Sequence, residues 1–184
     1  MRDIQRVAVY GGGTMGQGIA EMLAKKGIDV ILIEQTEALV QLTQHQMDLR
    51  LNKQLAKWGI TQAEKKLILG RITFTATLNE LAKVDLVIET VTEDLEAKKE
   101  VFKRCDRLCP PYTILTSNTS TLSVTELAAV TKRADRVIGL HFIHSSAQVD
   151  LVEIVRGLQT SSETIQHAQD FLKTIDLTFV EVDE

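Results

Sequence analysis

The chain has 184 residues, of which 44% are hydrophobic and 25% charged, a balance that excludes a disordered chain and leaves enough apolar material for one domain with its own core. Only 4% are aromatic, so Ile, Leu, Val and Ala must fill that core, and two cysteines exclude a disulfide framework. A formal net charge of −4 gives no electrostatic basis for binding nucleic acid or an acidic membrane surface.

In chain order, Val7, Ala8, Val9 and Tyr10 predict a buried strand ending at Gly11. Met15, Ile19, Met22 and Leu23 then fall at helical spacing, and Gly27 suits the position just past a helix end. A strand follows over 30–33, then a helix over 37–57, a break at Gly59 and a second helix over 61–69. Further strands read over 71–75, 85–89, 112–116, 136–141, 151–155 and 178–182, with helices over 93–108, 124–130 and 163–174. Thr61 with Glu64, and Ser123 with Glu126, have the spacing of capping boxes, and Pro110-Pro111 stops the helix before it. Strand–helix alternation of this kind predicts a parallel sheet with helices on both faces. No repeat or linker interrupts it, so 1–184 read as one domain.

The segment 37–70 exceeds what a crossover needs, since a helix of about twenty residues is about 30 Å long. It predicts a helical hairpin, either standing off the sheet or forming one wall of a substrate site, with Trp58 as its anchor. Cys105 and Cys109 share an apolar helix face with Phe102 and Leu108 and read as core, whereas His45 and His167 read as solvated. His141-x-x-His144 lacks further ligands at zinc-like spacing, so no metal is expected. No apolar stretch approaches the ~20 residues of a membrane span, and residues 1–6 lack the apolar segment of a signal peptide. The expectation is a soluble cytoplasmic protein with reduced thiols.

Gly11-Gly12-Gly13-Thr14-Met15-Gly16 satisfies G-x-G-x-x-G directly between a strand and a helix. Gly11 permits the tight turn, Gly13 lets a pyrophosphate approach the backbone, and Gly16 lets the helix pack on the strand. The free amides of the helix start, at Thr14 and Met15 among them, would face the phosphates. Glu34 ends the second strand 23 positions after Gly11, close to the ~20 expected of an acidic residue that holds the adenosine ribose. Such a carboxylate repels a 2′-phosphate, and no Arg or Lys in Gln35-Thr36-Glu37 compensates, so the expected cofactor is NAD.

Polar residues then gather after later strands, in 86–98, 116–120, 139–142 and 151–153, the end of an open parallel sheet at which ligands bind. His141 closes a buried run, and Glu153 sits inside another, where a carboxylate needs a partner. A His–Glu pair is a reasonable general base, the carboxylate fixing the imidazole tautomer and stabilising its protonated form.

On these motifs the sequence resembles the NAD-binding domain of 3-hydroxyacyl-CoA dehydrogenases of the fatty-acid β-oxidation and 3-hydroxybutyryl-CoA type. The resemblance rests on the glycine loop, the segment 86–95, Ser117-Asn118-Thr119-Ser120, Gly139-Leu140-His141-Phe142 and Leu151-Val152-Glu153. It implies a Rossmann-type doubly wound, mostly parallel α/β sheet with a protruding helical hairpin. It implies that His141 is the acid/base, paired with Glu153, and that Ser120 bonds the reacting oxygen near the nicotinamide. Glu93 and Lys98, at the start of one helix, would contact the cofactor, as would Asn118 and the residue at His144, while Lys57 would meet the phosphates of an acyl-CoA substrate. The family's helical domain, which closes over the substrate and forms a homodimer, would lie outside 1–184, supplied by a longer chain or by a separate one. Where the family continues His-Phe-Phe-Asn-Pro, this chain has His141-Phe142-Ile143-His144-Ser145. Two alternatives stay open: a non-catalytic dinucleotide-binding module, and a dehydrogenase of the same fold acting on a hydroxyacyl carrier protein or a small diketone.

Overall fold

The structure, a computed structural model, describes residues 3–145 and 148–184, with the backbone alone for 144, 145 and 148–150. Eight strands form one sheet: β1 (Arg6–Tyr10), β2 (Asp29–Ile33), β3 (Ile72–Thr75), β4 (Leu86–Glu89), β5 (Ile114–Ser117), β6 (Val137–Ser145), β7 (Gln148–Arg156) and β8 (Phe179–Asp183). The helices are α1 (Thr14–Lys25), α2 (Glu37–Ala56), α3 (Gln62–Arg71), α4 (Leu95–Leu108), α5 (Val124–Ala129) and α6 (Ser162–Thr174), with a short 3-10 helix at Leu78–Lys83 between β3 and β4.

The strand order is β3-β2-β1-β4-β5-β6-β7-β8, and the first six strands are parallel, the doubly wound arrangement expected. Chain order reverses between β1 and β4, which opens a crevice at their carboxyl ends. Side chains alternate across the pleat. Val7, Val9, Leu32, Ile88, Leu140 and Phe142 pack towards α1, α2 and α6. Ala8, Tyr10, Ile33, Val87, Leu115 and Val137 pack towards α4 and α5.

The sheet is mostly parallel, as the resemblance implied; the exception is β7, which runs antiparallel to β6 as a long ladder from Gly139↔Val155 outwards, with a register shift between Ile143 and His144. The 136–141 and 151–155 runs carry no signal of strand direction, which the partner strand alone decides. Two expectations need correction. Trp58 does not anchor the hairpin: it is 95% exposed and takes φ 57, the left-handed position that ends α2, where Gly59 was expected to make the break. The hairpin is held at its base instead by Met47, Leu51 and Ile68, which join the core. The capping box at Thr61 and Glu64 is complete, but at α5 only Ser123 caps, because the Glu126 carboxylate turns to Lys99. Cys105 and Cys109 are buried, His45 is exposed and His167 is half-buried. No helix among the described residues is long and apolar enough to cross a membrane.

Candidate functional site

The glycine loop closes β1 at the crevice. Gly11 has φ +113, and a Cβ on it would stand 3.0 Å from the Thr90 carbonyl, so the loop abuts the chain leaving β4. A Cβ on Gly16 would lie 1.9 Å from the Gly11 carbonyl oxygen, which only glycine permits. Gly13 differs, for a Cβ there would meet nothing within 4 Å, and no side chain caps α1. The first-turn amides of α1 therefore point outwards beside open space, an arrangement that fits the pyrophosphate of a dinucleotide. Glu34, just past β2, lies against the same loop, its Oε1 accepting the Gly12 N–H at 2.9 Å and the Thr43 hydroxyl at 3.0 Å.

Across the crevice, β6 and β7 set His141 directly opposite Glu153. The alternation that buries Phe142 and Val152 in one layer of core turns His141 and Glu153 to the other face. His141 Nδ1 is 2.9 Å from Glu153 Oε2, and with 25% and 34% of their side chains exposed both groups remain reachable by a ligand. Held through Nδ1, the imidazole leaves Nε2 for a substrate. Gly139 on the same strand lets α5 and β7 close in, since a Cβ would lie 2.8 Å from Val155.

A buried polar network lies between the two. Glu89, at the end of β4, accepts from Val91 N–H at 2.6 Å, from Lys98 Nζ at 2.8 and 3.0 Å, and from the Ser117 hydroxyl at 2.6 Å. Burial pushes the Glu89 carboxyl above its ordinary value, opposed by Lys98, Ser117 and the Val91 amide. Lys98 also reaches Glu93 at 3.2 Å. Glu93 accepts the Thr119 hydroxyl, and Thr119 in turn accepts the Leu122 N–H at 2.9 Å. Partial burial pushes Glu93 upwards, but the Thr119 hydroxyl and Lys98 outweigh it and hold the carboxyl below the usual range. Asn118 ties this loop to the histidine strand, its Oδ1 accepting the Phe142 N–H at 2.8 Å.

Residues 6–184 match the family described as 3-hydroxyacyl-CoA dehydrogenase, NAD binding domain. The chain belongs to that family. Among relatives, it is 40% identical over 182 residues to the probable 3-hydroxybutyryl-CoA dehydrogenase of Bacillus subtilis, covering 99% of this chain and 63% of that protein. It is 41% identical over 167 residues to the 3-hydroxyadipyl-CoA dehydrogenase of Escherichia coli, covering 90% of this chain and 35% of that protein. The crystal structure of FadB2 from M. tuberculosis superposes with a TM-score of 0.94 at 37% identity, covering 99% of this chain and 65% of FadB2. The chain thus spans less than two thirds of the length of these relatives. NAD is the cofactor of this dehydrogenase family, and the open glycine loop with Glu34 beside it fits that group.

As a member of the 3-hydroxyacyl-CoA dehydrogenase NAD-binding-domain family, the chain places its expected site residues unevenly. Gly11, Gly13, Thr14, Met15, Gly16 and Glu34 form one side of the crevice, and His141 and Glu153 meet as a pair. Ser120 is exposed on the loop after β5 and lines, with Thr119, Glu153 and Val155, a cleft of about 340 Å³. Glu93 is not on the helix as expected but in the loop before it, α4 being capped by Asp94. Lys98 is on α4 but only 1% exposed, its ammonium engaged by Glu89 and Glu93 beneath the site. Lys57 caps the far end of α2, 14 residues or about 21 Å along the helix axis from Thr43, exposed and without an ion pair among the described residues. The side chain of His144 lies outside the described residues.

Sequence reasoning gave no separate role to Glu89, Ser117, Gly12 or Thr43. The one available signal was Glu89 itself, an acid closing the apolar run Leu86-Val87-Ile88 with a lysine nine positions on.

Proposed function

We propose that this chain supplies the cofactor-binding and acid–base half of an NAD-dependent dehydrogenase that interconverts (S)-3-hydroxyacyl-CoA and 3-oxoacyl-CoA. The observation that carries the reading is the His141–Glu153 pair, 2.9 Å apart at the end of the sheet that also bears the open glycine loop. Bound NAD supplies the hydride acceptor for C3 of the substrate. His141 Nε2 takes the proton of the 3-hydroxyl as the C3 hydride departs, and returns it in the reverse direction. Glu153 holds Nδ1 as the donor and stabilises the imidazolium that forms. Ser120 donates to the reacting oxygen. Glu93 and Asn118 meet the cofactor from the loops after β4 and β5, Lys98 supports them from below, and His144 lies where the strand leaves the site. Lys57 offers its free ammonium to the CoA phosphates.

Residues 1–184 act as one NAD-binding domain in this reading, and a helical domain that covers the acyl-CoA and forms a homodimer completes the cytoplasmic enzyme. The test is acetoacetyl-CoA-dependent NADH oxidation by the chain, alone and with such a helical partner. The expected result is turnover with the partner that His141→Ala abolishes. No turnover in either case, or turnover indifferent to His141→Ala, refutes the reading.

A further inference from the structure

We propose that Thr43 is a positioning residue for dinucleotide selection, its buried hydroxyl steering the Glu34 carboxylate so that Oε2 stays free for the adenosine ribose. The proposal rests on Glu34 being the ribose carboxylate.

Helix α2 lies alongside α1 on a ladder of polar contacts. Gln17 donates to Gln46 at 2.9 Å, Arg50 and Gln54 meet Glu21 at 3.0 and 2.7 Å, and Lys25 reaches Gln54 at 3.1 Å. Thr43 is the rung nearest the glycine loop. It is 3% exposed, and its hydroxyl donates to Glu34 Oε1 at 3.0 Å. The same Oε1 accepts the Gly12 N–H at 2.9 Å, while Oε2 takes no hydrogen bond among the described residues. Two donors on one carboxylate oxygen fix the plane of the group, where a glutamate past a strand end would otherwise sample several rotamers. The placed Oε2 can accept from ribose hydroxyls, and its charge stands ready against a 2′-phosphate. Both effects need the carboxylate in one position, so both depend on Thr43.

Gly12 gives independent support. A Cβ there would stand 2.4 Å from Glu34 Oε1 and 2.8 and 2.9 Å from the Thr43 methyl and hydroxyl. The middle glycine of the loop is the space into which the Glu34–Thr43 pair fits.

The experiment is fluorescence titration of NADH and NADPH against wild type, Thr43→Val and Thr43→Ser, with thermal melts to confirm folding. Valine matches threonine in shape and lacks the hydroxyl. Thr43→Val is expected to bind NADH about five- to tenfold more weakly, because the carboxylate must then be ordered as the ribose binds, and NADPH no more weakly than wild type, because the repulsion of its 2′-phosphate relaxes with the same loss of position. Thr43→Ser restores wild-type affinity, and in 15N spectra without cofactor the Gly12 amide exchanges faster in Thr43→Val. Equal weakening of both dinucleotides, unchanged NADH affinity, or no rescue by serine overturns the proposal. Thr43→Ala serves as the second hydroxyl-free variant if valine prevents folding. A wild-type chain with no preference for NADH would instead overturn the reading of Glu34, so the two failures are distinguishable.

Discussion

Lys98→Met isolates the most heavily buried charge pair among the described residues. Lys98 and Glu89 are 1% and 0% exposed and 2.8 Å apart. Methionine is unbranched and fills much of the space of the lysine stem, so the cost comes from charge and not from a cavity. The Glu89 carboxylate is left inside the sheet with only the Val91 amide and the Ser117 hydroxyl as donors. Breaking a buried pair from one side costs about 3–5 kcal/mol, and at about 2–4 °C per kcal/mol for a domain of this size the melting temperature falls by about 6–20 °C. The loss carries a pH signature. Burial already holds the Glu89 carboxyl above its ordinary 4.5, and removing Lys98 takes away the main opposing charge. The folded variant therefore keeps a proton that the unfolded chain has released, so its stability falls as pH rises above the unfolded value and recovers towards acid. Circular dichroism melts near about pH 5 and about pH 8 read both effects, and the gap to wild type should be narrower in acid. Adding Glu89→Gln should recover much of the loss at neutral pH. Equal melting temperatures at about pH 8, or a gap that does not narrow in acid, would refute the reasoning.

Gly13→Ala should lower the melting temperature by only about 2–4 °C, the cost of alanine at the N-cap of α1, because its Cβ meets nothing within 4 Å, yet weaken NADH binding by filling the space beside the first-turn amides. Gly16→Ala should lose both stability and binding, since its Cβ would fall 1.9 Å from the Gly11 oxygen, and calorimetry beside titration separates the two cases. Glu153→Gln in the completed enzyme should lower kcat by about 10²-fold with little change in KM, as an imidazole loses its orienting carboxylate; an unchanged kcat removes Glu153 from the mechanism. The Cys105 thiol is held well above its ordinary value by the hydrogen bond with Cys109 and by burial, so a disulfide reagent should label it only after unfolding.

What reads directly from the sequence here is whatever depends on neighbours along the chain. Apolar runs such as 30–33 and 86–89 mark central strands because both faces of a doubly wound sheet are buried. The loop from Gly11 to Gly16 reads as a phosphate cradle because a strand, a turn and a helix start follow one another within a few residues. His141 and Glu153 were each legible as polar groups misplaced in apolar runs, and a regular antiparallel ladder accounts for their meeting.

Contacts between distant segments had to wait for the tertiary structure. Whether β7 ran with or against β6 was undecided by its residues, because hydrogen-bond polarity is a property of the pair. Lys98 carries no mark that it will be buried, since the helix face it occupies is set by the sheet beneath α4. Trp58 was misread because exposure depends on what the hairpin tip meets, not on the apolar character of its side chain. Glu34 stood out as an acid at the right distance from the loop. That Gly12 and Thr43 hold one of its oxygens follows only from α2 being laid alongside α1. The sequence by itself determined the fold class and the cofactor, and it marked His141 and Glu153 as a candidate pair. Tertiary packing decided which polar groups face a ligand and which hold those groups in place, because a charge or hydroxyl acquires its role from partners that lie far away along the chain.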